Sequence, residues 1–313
     1  RTGWARWTVQ KNQPQDNAMP KPRKNSGSEP PYKPAALRAM MKHTLGGLGP
    51  NKRSDEHRAQ ELVYDAMEAS TSERRLLLVR QALELDPENV DALRMLEETS
   101  DLRGEERIEA LRGTVAAGAK RLGKKAFNEL VPHFWGFHET RPYMRARQAL
   151  ATALHEAGRL DEAVQEWAAM LDLNQNDNQG VRYELLPTLL ASGRLDEARA
   201  LMERFKDDCE WSVVFAWSRV LERQLSGDDA AAMKALAVAR KQNAHMEAYL
   251  KSQRKLPKTL PESYSPGSKE EALCYADVLM GAWKAHLPAV EWLLRQSKAS
   301  MKTVDGIDAP GEN

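Results

Sequence analysis

The chain of 313 residues is 42% hydrophobic and 29% charged, which is enough apolar material for more than one small domain. No apolar run approaches the ~18 residues that a membrane-spanning helix needs, and no secretory signal peptide is visible at the start, so we expect a cytoplasmic protein that does not associate with membranes. The two cysteines, Cys209 and Cys274, are too few for a disulfide framework or a paired zinc motif and are typical of a reducing compartment.

The chain begins with a basic, proline-rich segment. Residues 1–53 carry 11 Lys and Arg against 2 Asp and Glu, a local charge of +9, whereas the remainder carries −8. Proline removes backbone donors and favours extended conformers, so we predict that residues 1–54 are disordered. The segment has three interpretations: a solvating arm, an arm that attracts anionic partners such as nucleic acid through counterion release, or part of an organelle-targeting presequence.

From about residue 55 onward, the apolar residues recur at intervals of three and four, which is the period of an α-helix. Ser72 is expected to cap a helix that begins at Glu73. Ser268 stands three residues before Glu271, which is the spacing of a capping box. The pattern predicts a helical domain from 55 to 298, followed by a flexible tail over 299–313.

The stretch GRLDEA occurs twice, from Gly158 and from Gly193, and a degraded copy, GDDAAA, begins at Gly227. Each glycine is expected to end one helix, and the acidic residues that follow fall in the first turn of the next helix, where they oppose its dipole. The alanine at the end of each copy is expected where two helices cross closely; these are Ala163, Ala198 and Ala232. The repeating unit is therefore a helix, a tight turn and a second helix.

This unit resembles the tetratricopeptide repeat (TPR). Ala163 and Trp167 match the small and bulky positions of its second helix, and Pro87 stands in the turn ALELDPENV, as the family motif requires. Gln175 replaces that proline in the next such turn, and the glycine of the family's first helix is absent. The resemblance covers roughly 59–250. It implies an all-α, right-handed solenoid of stacked helix-turn-helix hairpins, because single hairpins cannot bury their apolar faces alone.

Two segments depart from the repeat: an aromatic connector at about 123–143 and a carboxy-terminal pair of helices at about 268–298. Together with NQNDNQG at 174–180, they resemble bacterial TPR proteins that are distantly similar to the suppression-of-tumorigenicity-seven family. We expect the connector to be an ordered joint, because so many exposed aromatic rings would promote aggregation. An exposed docking site for a partner is the competing interpretation.

No strong catalytic pattern is present. The chain has no glycine-rich phosphate loop, no G-x-S-x-G and no H-E-x-x-H. An enzyme with a metal site at His133, His138 and Glu139, with His155 nearby, is one hypothesis, but the spacing favours a packing loop with partly buried imidazoles. We therefore predict no catalytic residue, no metal and no cofactor, and we expect both cysteines to be inert.

The function that these patterns indicate is a non-catalytic scaffold that binds a protein or peptide partner on the concave face of the array, which the first helices line. The residues expected to face that groove are Arg145, Gln148, Thr152, Tyr183 and Trp217. Arg145 is expected to pair with a carboxylate through two hydrogen bonds. The alternative is a regulatory adaptor that residues 1–53 anchor to nucleic acid.

Overall fold

The computed structural model describes residues 55–304, and this part of the chain is all-helical. It contains thirteen α-helices and three short 3-10 helices, with no β-strand in this range, so the predicted all-α class is confirmed. The basic segment 1–54 lies outside the described residues, as do residues 305–313. The last helix continues to Val304, past the predicted end of the helical domain at 298.

The chain divides into two compact units, with the boundary between Val181 and Arg182. The described part of the amino-terminal unit contains α1 Asp55–Glu68, α2 Ser72–Leu85, α3 Val90–Thr99, α4 Gly104–Glu129, α5 Arg141–Glu156 and α6 Leu160–Leu173. The carboxy-terminal unit contains α7 Arg182–Ala191, α8 Leu195–Arg204, α9 Val213–Leu225, α10 Asp229–Gln242, α11 Met246–Leu250, α12 Lys269–Lys284 and α13 Leu287–Val304.

Helices of the amino-terminal unit pack in neighbouring pairs. The pairs α1 with α2, α3 with α4, and α5 with α6 are successive helix-turn-helix hairpins, and α3 also contacts both α1 and α5. The first hairpin and α3 share a core that includes Val63, Val79, Ala82 and Met95. The first helices α1, α3 and α5 therefore lie side by side.

The repeated turn has the predicted geometry. Gly158, Gly193 and Gly227 have φ of 76°, 70° and 74°, a left-handed conformation that favours glycine after a helix. The three alanines that end the repeated stretch are fully buried, as expected for close helix crossings: Ala163, Ala198 and Ala232. The helix starts are only partly as predicted. Ser268 caps α12 by accepting a hydrogen bond from Glu271 N (3.1 Å), but α2 is capped by Thr71 rather than Ser72.

The carboxy-terminal unit departs from a simple repeat. Helices α9 and α10 form a close hairpin, and α7 contacts α8 and α9. Helix α12, far from α7 in sequence, packs against both α7 and α9 as well as against α11. In a solenoid, each hairpin contacts only its sequence neighbours. Helix α12 instead covers the faces of the two first helices of this unit.

Candidate partner-binding surfaces

Arg145 makes the bidentate contact that its sequence position suggested, but with a carboxylate of its own chain. Its guanidinium donates from Nε to Oδ1 of Asp91 (2.8 Å) and from Nη2 to Oδ2. Asp91 is fully buried on α3 and also accepts from Gln60 (3.3 Å). Burial by itself would raise the pKa of Asp91, yet the hydrogen bonds and charge of Arg145, with Arg94 nearby, hold that pKa below its usual value.

The Asp91–Arg145 pair belongs to a larger buried network on α3. Arg94 is almost fully buried and bonds to Glu98, and its Nε lies 3.8 Å from Oδ1 of Asp91. One turn further along α3, Glu97 accepts from Arg107 Nε (2.5 Å). Burial lowers the pKa of Arg94 and the neighbouring carboxylates oppose that shift. These charges hold α3 against its neighbours and are largely inaccessible to a partner.

Gln148 and Thr152 follow Arg145 along the same face of α5, at positions i+3 and i+7. Gln148 accepts a hydrogen bond from Nε2 of Gln179 (2.7 Å), which also donates to Met144 O (3.3 Å). Both Gln148 and Thr152 are half-buried. The structure therefore brings three of the five expected residues onto one helix face, with Gln148 and Thr152 partly accessible.

Tyr183 and Trp217 were expected to face an open groove, but both side chains are buried. The ring of Tyr183 lies 6.1 Å from that of Tyr275, and the ring of Trp217 lies 6.4 Å from that of Trp283 in an edge-to-face arrangement. Both contacting residues belong to α12, so this helix covers the outward faces of α7 and α9. The groove interpretation failed here because nothing in the local sequence indicates where a distant helix will pack.

The α9–α12 contact buries polar atoms without partners. The indole Nε1 atoms of Trp217 and Trp283, whose rings meet here, are buried and make no hydrogen bond within the described chain; the same is true of the hydroxyl of Ser218, the next residue on α9. A buried polar group without a partner is costly and is usually replaced or satisfied in native structures. The contact is therefore stabilised by its aromatic area rather than by polar complementarity.

The aromatic connector is ordered. Phe134 and Tyr143 are buried, and their rings surround Phe127, at centroid distances of 5.2 and 5.5 Å. The Thr140 hydroxyl donates to Phe134 O and to Phe137 O (3.0 Å) and makes no capping hydrogen bond at the start of α5.

The connector also reaches the end of α6. His133 pairs with Asn174 through a single β-bridge, and Gln175 N donates to Pro132 O (3.0 Å). Trp135 is only half-buried; its carbonyl accepts from Arg141 Nε (2.9 Å), and the Arg141 guanidinium lies 5.7 Å from the centre of its ring. These contacts tie the connector to α4, α5 and the turn after α6, as expected for a joint.

The residues of the hypothetical metal site do not converge. His138 is exposed near Arg141, whereas the imidazole of His155 lies against Trp167 in a tilted arrangement, with 5.5 Å between ring centres. No group of three or more His, Cys, Asp or Glu side chains within the described residues is arranged to hold a metal ion. Cys274 is buried in α12, and the side chain of Cys209 lies outside the described atoms.

A cleft of about 1010 Å³ opens between α1, α4 and the start of α5, and no sequence motif pointed to it. Its apolar wall includes Leu122, Tyr143 and the exposed Tyr64. Helix α4 approaches Tyr143 of α5 closely here because Gly118 of α4 has no side chain at the contact. A Cβ at that position would lie 3.1 Å from Cδ2 of Tyr143. We call this feature the α1–α4 cleft.

The charged groups of the α1–α4 cleft are mainly carboxylates. Four glutamates line it, together with one arginine and one lysine, which gives a net charge of −2 with neutral histidines: Glu56, Glu61, Glu129, Glu139, Arg121 and Lys125. Arg121 is already engaged, because it pairs with Asp86 (2.7 Å) and with Glu56 (3.2 Å). The cleft thus combines an apolar wall with an acidic rim.

No protein-family model matches this chain, and no curated protein matches it in sequence. Within the described residues, none of the helices has both the length and the apolar character required to cross a bilayer. Two surfaces of the described residues are candidates for binding a partner: the α5 face at Gln148 and Thr152, and the α1–α4 cleft.

Proposed function

We propose that the chain is a non-catalytic interaction scaffold of TPR-like hairpins, stacked as a right-handed solenoid, and that a protein segment binds across its first helices. The observation that carries this proposal is the side-by-side packing of α1, α3 and α5, the arrangement that the first helices of stacked hairpins adopt. The repeat at intervals of 34 and 35 residues supports it, because stacked hairpins present side chains at a regular spacing to an extended or helical partner.

The proposed contact surface is narrower than the sequence indicated. Gln148 and Thr152 remain as contact residues on α5. Arg145 is not itself a contact residue in this proposal. Its pairing with Asp91 holds α5 against α3 and so supports the position of Gln148 and Thr152. Tyr183 and Trp217 lie beneath α12 and are left out of the surface.

Capture of partners from native cytosol tests this proposal. Thr152→Arg places a long charged side chain on the first-helix face, and Gln165→Arg places the same side chain at an exposed position on α6. We expect the first variant to lose a partner that the wild-type chain and the second variant retain, with all three chains melting at similar temperatures. If Thr152→Arg captures the same proteins as Gln165→Arg, the first-helix face is not the binding surface.

The charge asymmetry of the chain supports a second function, a regulatory adaptor anchored to nucleic acid by residues 1–53. Basic side chains that neutralise phosphates release counterions, so this affinity would fall steeply between about 50 and 200 mM salt. The test is titration of fluorescent DNA and RNA with the full chain and with a chain lacking residues 1–53. Binding that survives the deletion, or that is insensitive to salt, contradicts this function.

A further inference from the structure

The α1–α4 cleft is open, acidic at its rim and apolar along one wall. Glu129 is half-buried in the cleft and makes no hydrogen bond or ion pair with any residue that the structure describes. Tyr64, which also lines the cleft, is 44% exposed, although most large apolar side chains of the first hairpin are at least partly covered. A ligand that suits both features carries positive charge and apolar groups on the same short segment.

Such a segment precedes α1 in this chain. Residues 19–54 hold eight Lys and Arg against one Glu, a net charge of +7. They also hold apolar side chains interleaved with the charges, at Tyr32, Leu37, Met40 and Met41. The segment joins the described chain at Asp55, directly before Glu56 and His57, which line the cleft.

We propose that the α1–α4 cleft binds the chain's own basic segment, residues 19–54. Opposite charge supplies the attraction, and the apolar wall receives the interleaved apolar side chains. The segment is long enough to reach into the cleft, because the 13 residue-to-residue steps from Lys42 to Asp55 extend up to about 45 Å. A tethered segment is held at an effective concentration of about millimolar, so even weak contacts keep it in place. This inference is independent of partner capture at the α5 face.

Zero-length carbodiimide cross-linking of the full chain tests the proposal, because it joins a lysine amine directly to a carboxylate that it contacts. We expect Glu129 to couple to lysines between Lys21 and Lys42, and to do so more often than two exposed glutamates outside the cleft, Glu84 and Glu106. Products of Lys52 are not counted, because that residue is close to α1 in sequence. Mixing ¹⁴N- and ¹⁵N-labelled chains separates coupling within one chain from coupling between chains.

Matched charge reversals sharpen the test. Glu61→Lys/Glu139→Lys makes the cleft rim basic but keeps Glu129 as the reporter, and we expect the Glu129 products to fall at least about fivefold. Glu84→Lys/Glu106→Lys changes the net charge of the chain equally and should leave them unchanged. Raising the salt from 0.1 to 1 M, which shortens the screening length from about 10 to about 3 Å, should reduce them in the wild type. Melting curves establish that each variant is folded.

Three results would overturn the proposal. One is equal coupling of Glu84, Glu106 and Glu129 to the basic segment, which would indicate non-specific attraction to an acidic body. Another is a Glu129 product of which about half carries both isotopes when equal amounts of the two chains are mixed, the share that random pairing between chains gives, which would assign the cleft to a second copy of the chain. The third is an equal loss of product in both charge-reversal variants.

Discussion

Removing the buried carboxylate of Asp91 should strongly destabilise the amino-terminal unit. Asp91→Asn keeps the side-chain shape but leaves Arg145 without its buried counter-charge and removes one of the carboxylates near Arg94. Three hydrogen bonds to Asp91 are weakened or lost, two from Arg145 and one from Gln60. Hydrogen bonds to charged groups contribute about 1.5–3 kcal/mol each. The Asn variant no longer has to bury a charged carboxylate, and the desolvation cost that it avoids offsets part of that sum. We therefore expect a loss of about 3–5 kcal/mol, as is typical when one partner of a buried pair is removed.

Urea unfolding followed by circular dichroism at 222 nm measures this loss. The double-mutant cycle with Arg145→Gln is decisive, because the two residues share one interaction. The double variant should be more stable than the sum of the single losses implies, by about 1–3 kcal/mol. The exposed pair of Arg58 and Asp55 serves as the control, and Asp55→Asn should change stability by no more than about 0.5 kcal/mol. Additive effects of the two buried substitutions would refute the assigned pairing.

The Asp91–Arg145 pair also makes the stability of the folded chain depend on pH, in a direction that the lowered pKa of Asp91 determines. The pKa of Asp91 is lower in the folded chain than in the unfolded chain, where it is close to 3.8. The stability that this carboxylate contributes is therefore complete above that unfolded value and is lost as the pH falls towards its folded value. Between neutral pH and about pH 3, the wild type should lose more stability than Asp91→Asn. Parallel losses in the two chains would contradict this sign.

Four further outcomes are expected. Ala163→Trp overpacks the α5–α6 crossing and should lower stability by ~1–3 kcal/mol; an unchanged melting temperature would mean that the position is not at a crossing. Phe134→Ala should cost about 3–5 kcal/mol and the half-buried Trp135→Ala about half as much, whereas loss of a partner without loss of stability would make the connector a docking site. Ser218→Ala removes a buried hydroxyl without a partner and should raise the urea midpoint by an amount equivalent to about 1 kcal/mol; a lower midpoint would reveal a hidden hydrogen bond. Deleting residues 1–53 should leave a cooperative thermal transition, and its loss would show that the segment is needed for folding.

The sequence by itself determined the features that depend on neighbouring residues. The period of three and four predicted helices, and the repeated glycine and acidic pair predicted where one helix ends and the next begins. The buried alanines at 163, 198 and 232 were also predictable, since the repeat places a small residue at each helix crossing. These features follow from local backbone geometry and side-chain size, which a single stretch of sequence encodes.

Only the tertiary structure decided which candidate residues remain accessible. Arg145 was predicted to face a groove and pair with a carboxylate there, whereas the structure pairs it with Asp91, which another hairpin of the same unit supplies. Tyr183 and Trp217 are buried because α12, far away in sequence, packs over their helices. The α1–α4 cleft was equally hidden, since its walls come from three helices that no motif connects. A sequence pattern specifies which face of a helix is apolar. Which other helix packs against that face depends on long-range packing, which local periodicity does not encode.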